Sequence, residues 1–233
     1  MPAYTLDSTD TATAPNGATL YRIRYADGTL GGYLQSTGNL DPASNARVSG
    51  NARVCGNARV YGNARVYGNA RVCGNAQVCD DAWVFGDAHV YGDARVSGNA
   101  WVCGNARVFG DAWVSGNAQV SGNAQVSGNA WVYGNAWVYG NARVSGNAQV
   151  SGNAWVSEPQ HCLTIGPLGS RAATLTVCRD STLSVSYATG CFFGSREDFL
   201  AAVEATHGNS PIGNAYAAAV MLANHIVPPY TQE

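Results

Sequence analysis

From Asn45 to Ser157 the chain repeats one six-residue pattern, [N/D]-A-x-V-x-G, nineteen times with almost no insertion. NARVSG NARVCG NARVYG shows the pattern early, and NAWVYG NAWVYG NARVSG NAQVSG shows it late. In extended chain, alternate side chains face opposite sides. Ala and Val stand two apart and share one side, while the variable residues flanking Val share the other. Gly and Asn/Asp then break the strand, because Gly reaches dihedrals closed to other residues and Asn/Asp tolerate the left-handed region. Each hexad is predicted to be one short strand and one sharp corner. Three hexads close a triangular coil with Ala and Val inside. A short period held over half the chain decides the architecture. It predicts a rod of roughly six coils, about 30 Å long at the usual strand spacing.

The flanks follow other patterns. Residues 1–17 are polar and are expected to be flexible. In residues 18–44, Leu20 to Tyr25 alternates, Asp27-Gly28 signals a hairpin turn, and a second strand follows at Tyr33 to Gln35. This hairpin is predicted to cap the first coil, whose open edge would otherwise invite strand addition. Residues 158–233 begin where Glu158-Pro159 breaks the repeat. CLTIG, ATLTVCRD and TLSVSYA read as three strands. Ser195-Arg196-Glu197-Asp198 reads as a capping box opening a helix that Gly208 ends, and an Ala-rich helix is predicted from Ile212 to Ile226. A small α+β domain results.

Residues three hexads apart stack in columns. On the first face these are Arg47, Arg65, Trp83, Trp101, Gln119, Trp137 and Trp155. The second carries Arg53, Arg71, His89, Arg107, Gln125 and Arg143, and the third Arg59, Gln77, Arg95, Trp113, Trp131 and Gln149. The first face is aromatic, the second is an Arg ladder and the third is mixed. The chain has 13 basic residues, all Arg, and a formal net charge of −2. The repeats hold eight Arg and five Asp, so a mildly basic rod lies between acidic ends. That balance does not suit a binder of long nucleic acid. No signal peptide or membrane-length apolar run is visible, so a cytoplasmic protein is expected. The seven Cys include no C-x-x-C and are read as reduced thiols. A Cys55–Cys73 disulfide, one coil apart, is conceivable but not expected.

LYRIRYADGTLGGYLQSTGNL, the NARVYG-type repeats, IGPLGSR, GCFFGS and ATHG together resemble a family of hexapeptide-repeat proteins encoded in bacteriophages and prophages. The resemblance spans nearly the whole chain. It implies a left-handed parallel β-helix, a phage origin and, since related β-helix proteins are commonly side-by-side trimers, a homotrimer. It carries no established activity. Exposed aromatic patches usually mark interfaces, which fits a trimer packed through an aromatic face.

Enzyme chemistry finds little support. The β-helix carbonic anhydrases need three His around zinc, and the rod has only His89, so no metal and no cofactor is expected. Hexapeptide acyltransferases carry a catalytic His and a loop between coils, and no loop interrupts these repeats. Cys191 and His207, with Asp198 as orienter, form a conceivable nucleophile–base set if they meet. The preferred reading is a non-enzymatic binding protein for a small anionic aromatic ligand, such as a nucleotide signal used in host defence. A structural scaffold or virion fibre is the alternative, and an acyltransferase the third reading. Arg71, His89, Tyr91, Arg107 and Phe109 occupy three successive coils of one face and are the candidate site, with Trp113 or Trp131 from a second chain closing it. Arg171, in the turn Gly169-Ser170-Arg171, is a separate anion candidate.

Overall fold

A computed structural model describes residues 4–169 and 171–229. Three strands open the chain: β1 (Tyr4–Thr13), β2 (Thr19–Tyr25) and β3 (Leu30–Leu34). Nineteen two-residue strands, β4–β22, follow from Arg47–Val48 to Trp155–Val156. They stack in parallel into three sheets whose columns are the three faces read from the sequence. Trp83 pairs with Trp101, His89 with Arg107, and Trp113 with Trp131. Every repeat Ala and Val is buried, most of them completely. The fold is therefore mainly β, a parallel β-solenoid.

The solenoid has about seven turns rather than six, because it begins before the repeats do. Tyr33 and Leu34 pair in parallel with Arg53 and Val54, and Leu40 bridges to Val60. Leu34 and Leu40 are buried and take the place of Val in an atypical first turn. Gly31 and Gly32 permit this docking. A Cβ at Gly31 would stand 2.7 Å from Ile23 Cβ, and one at Gly32 would stand 2.5 Å from the Ala52 carbonyl oxygen. The LGGYL lead-in is thus a close-approach device between cap and coil.

The N-terminal expectation fails. Most of the segment read as flexible is β1, which pairs antiparallel with β2, while residues 1–3 lie outside the described part. Its polar look hid an edge strand. Tyr4 is buried, and its hydroxyl donates to the Leu40 carbonyl at 2.7 Å. Asp7 pairs with Arg24 at 2.6 Å, and Asp10 with Arg22 at 3.0 Å.

The corner asparagines stack as well. Asn45 Nδ2 donates to Asn63 Oδ1 at 3.2 Å, and Asn63 donates to Asp81 at 3.0 Å. Asn69 and Asn75 donate likewise to Asp87 and Asp93.

At the far end, four strands rather than three form an antiparallel sheet: β23 (Cys162–Leu168), β24 (Ala173–Asp180), β25 (Ser184–Thr189) and β26 (Phe192–Gly194). Helices α1 (Arg196–His207) and α2 (Pro211–Ile226) pack against it around Phe199 and Tyr216. β24 closes the last coil. Ala154 bridges to Asp180, the Gln149 amide donates to Thr176 Oγ1 at 2.9 Å, and Cys178 joins the solenoid core.

Two cysteine pairs correct the reduced-thiol reading. Cys55 is bonded to Cys73 across adjacent coils whose Cα atoms are 4.7 Å apart, and Cys162 is bonded to Cys178 across β23 and β24. Cys79, Cys103 and Cys191 are free thiols. No helix among the described residues is long and apolar enough to cross a membrane.

Candidate functional site

On the second face, Arg71, His89 and Arg107 stand in register on consecutive coils. Each precedes an inward Val, so the period alone turns them outward. Tyr91 and Phe109 follow the same valines, and their rings stack in parallel with centroids 5.0 Å apart. Among the described residues neither Arg71 nor Arg107 forms an ion pair with a carboxylate. His89 sits between the two guanidinium groups. Partial burial, followed by those two positive charges, lowers its pKa below the usual imidazole value.

A cleft of about 340 Å³ lies here, lined by Pro15, Arg71, Cys73, His89, Val90 and Tyr91. Pro15 belongs to the turn between β1 and β2, which leans over this face. Arg53 fixes it by donating to the Thr13 carbonyl at 3.0 Å, and Cys55 packs with Ala14 and Leu20 beneath it. The structure thus brings Arg71, His89 and Tyr91 into one hollow. Arg107 and Phe109 continue the same face one coil beyond it. Pro15 and Cys73 escaped the sequence reading. The 18-residue spacing places Cys73 one coil from Cys55 on this face, but nothing local announces the arrival of Pro15.

Within one chain, Trp113 and Trp131 stand on the third face and line a separate groove with Ser115 and Tyr133. Arg171 lies in the C-terminal domain, in a pocket of about 230 Å³ that Cys191, His207 and Tyr216 also line. Cys191 and His207 therefore share a pocket, and no hydrogen bond joins them among the described residues. Asp198 is engaged elsewhere. Its carboxylate accepts from the Ser195 hydroxyl at 2.8 Å in the capping box of α1, so it does not orient His207. Instead His207 stacks on Tyr216 with centroids 5.8 Å apart. Ser170, the middle of the predicted anion turn, lies outside the described residues.

The first face carries two aromatic stacks. Trp83 and Trp101 lie 5.6 Å apart with Tyr67 and Phe85 beside them, and Trp137 and Trp155 lie 5.3 Å apart with Tyr139. Trp101 and Trp137 are each about two-fifths exposed, at 41% and 39%.

Fold and site together define a β-solenoid repeat protein with a half-enclosed basic cleft. The repeats match the model of the YdcK Beta solenoid repeat in ten windows, the first at residues 46–62 and the last at 136–152. No curated protein matches the chain.

Proposed function

We propose that this β-solenoid works by binding rather than catalysis, and that its cleft on the second face takes a small anionic ligand bearing an aromatic ring, of nucleotide type. The observation that carries the reading is the convergence of Arg71, His89 and Tyr91 under Pro15, beside Arg107 and the stacked Tyr91–Phe109 pair. Two unpaired guanidinium groups suit the forked geometry of phosphate. The neighbouring rings offer a stacking surface, worth about 1–3 kcal/mol to a base. The resemblance to phage-encoded repeat proteins gives the proposal its setting, the capture of a nucleotide signal of host defence.

Calorimetry with cyclic and linear nucleotides tests it. Removing one charged hydrogen bond costs about 1.5–3 kcal/mol, so Arg71→Ala and Arg107→Ala should each weaken binding roughly ten- to hundredfold. Added salt should weaken it too. The pH dependence follows from His89. Its pKa is depressed in the free protein, and a bound anion beside it would raise that pKa. Binding then takes up a proton, and affinity should rise as pH falls from about 8 to about 6. Tight binding that both Arg variants leave untouched would remove this location, and indifference to every nucleotide would leave the scaffold reading.

That second reading is favoured by the exposed first face. The rod is proposed to assemble side by side as a homotrimer through Trp101 and Trp137. Trp101→Ser combined with Trp137→Ser should then lower the mass seen in light scattering. An unchanged trimer would take this face out of the interface.

A further inference from the structure

The third face holds a second hollow, apart from the second-face cleft and from the first-face contact proposed for the trimer. Its walls come from a two-by-two patch of the outward lattice. Trp113 and Ser115 stand on one coil, and Trp131 and Tyr133 directly above them on the next. Three corners of the patch are aromatic and the fourth is small. The ring that Ser115 lacks leaves a groove of about 280 Å³ lined by these four residues.

The first face shows that such a patch need not be hollow. Its two Trp pairs lie with planes only 16° and 27° apart, so each pair closes into a stack. Trp113 and Trp131 cross at 73° with centroids 5.3 Å apart, and two walls set nearly at right angles enclose space. The crossing is held in place. Trp113 Nε1 donates to Ser97 Oγ on the coil below at 3.1 Å, which pins that ring. The donated hydrogen bond also leaves the indole slightly richer in electrons. Trp131 stands free beside it, 46% exposed.

The lining excludes several occupants. No basic side chain lines the groove, so an anion finds no partner there. Two hydroxyls, on Ser115 and Tyr133, are a thin set of directional groups for a sugar. What remains are aromatic faces, and Trp is the strongest side chain for attracting a cation to its ring. Arg95 pairs with Trp113 on the coil below but does not line the groove, and Asp93 and Asp111 stand at the corners that lead into those two strands. A quaternary ammonium ion has no N–H to satisfy and loses little hydration on entering such a site. We infer that Trp113, Trp131 and Tyr133 form an aromatic cage for a small quaternary ammonium ion, of the trimethylammonium class.

The probe is choline, titrated by calorimetry into the full chain, with 3,3-dimethylbutan-1-ol as its neutral carbon isostere. The isostere has the same shape without the charge, so the ratio of the two affinities isolates the cation–ring attraction. Choline should bind at least about tenfold more tightly. Trp131→Ala should weaken choline about tenfold or more. Its side chain faces outward, so the melting curve should stay that of wild type, and Trp131→Phe should retain part of the affinity. Equal binding of choline and isostere would reduce the groove to an apolar slot and overturn the inference. So would no detectable choline binding, unchanged binding by Trp131→Ala, or adherence to phosphatidylcholine vesicles without binding of free choline. None of these results depends on whether the second-face cleft binds nucleotides.

Discussion

Val102→Asp should break the rod in the middle. Val102 has no exposed surface and lies in register between Val84 and Val120, with Ala100 beside it. A carboxylate there meets only aliphatic groups and backbone already committed to the coil-to-coil ladder. Leaving a charge buried and unpaired is among the few single changes that cost about 4 kcal/mol or more. Protonation of the new side chain would lower that cost but would still bury an unpaired hydroxyl. In a solenoid each coil touches only its neighbours, so the lesion separates two half-rods instead of being shared over a wide core. Circular dichroism should show a melting point lower by about 10 °C or more. Val102→Ile, which keeps the chemistry, should move it far less. A variant that melts like wild type would mean that the inside and outside of every hexad are reversed.

Gly104→Val should be the next most damaging. The corner at Gly104 has φ +65°, and a Cβ there would sit 3.0 Å from the Gly122 amide nitrogen. Two penalties combine: a β-branched residue in the left-handed region, costing about 1–3 kcal/mol, and crowding against the next coil. Gly146 separates them. Its φ is +67°, yet nothing stands within 4 Å of the Cβ position, so Gly146→Val carries the strain without the crowding. The expected order of melting points is wild type, then Gly146→Val, then Gly104→Val. Gly104→Asn should be mild, because Asp80 already stands in a corner with φ +58° and accepts from the Gly98 amide at 3.0 Å. If Gly104→Val and Gly104→Asn melt alike, the corners are looser than their dihedrals indicate.

The parts legible in the sequence were those that a strict period dictates. Val inward, Gly at the corner and Arg71 over His89 all follow from counting in sixes and eighteens. β1 was illegible because an edge strand with one solvated side reads as a polar tail. Its antiparallel pairing with β2 and the landing of Tyr4 on the Leu40 carbonyl reveal it. The first turn was missed because Leu34 and Leu40 replace Val outside the motif. Pro15 reached the cleft through long-range docking of a hairpin, which no neighbouring residue records. The crossed planes of Trp113 and Trp131 depend on side-chain torsions, and a repeat that spells Trp-Val in both coils cannot distinguish crossed rings from stacked ones. The shared pocket of Cys191 and His207 was open for the same reason, whereas the Ser195 capping box, written in four consecutive residues, was read correctly.

The columns of corner amides give the rod a grammar of its own. The bonds between corner side chains all run in the same sense, the amide donating toward the C-terminal coil, so each column is a one-way chain of dipoles. A carboxylate can receive such a bond but cannot pass it on. Asp81, Asp87 and Asp93 occupy the corners of three successive hexads, and there all three columns stop at one height. The columns resume above, from Asn99 to Asn117, from Asn105 to Asn123 and from Asn129 to Asn147. The outer skin of the rod is therefore two zippers laid end to end, although the valine core runs through without a break. A pull along the axis would find its weakest stitching at that full stop, the very coil that carries His89.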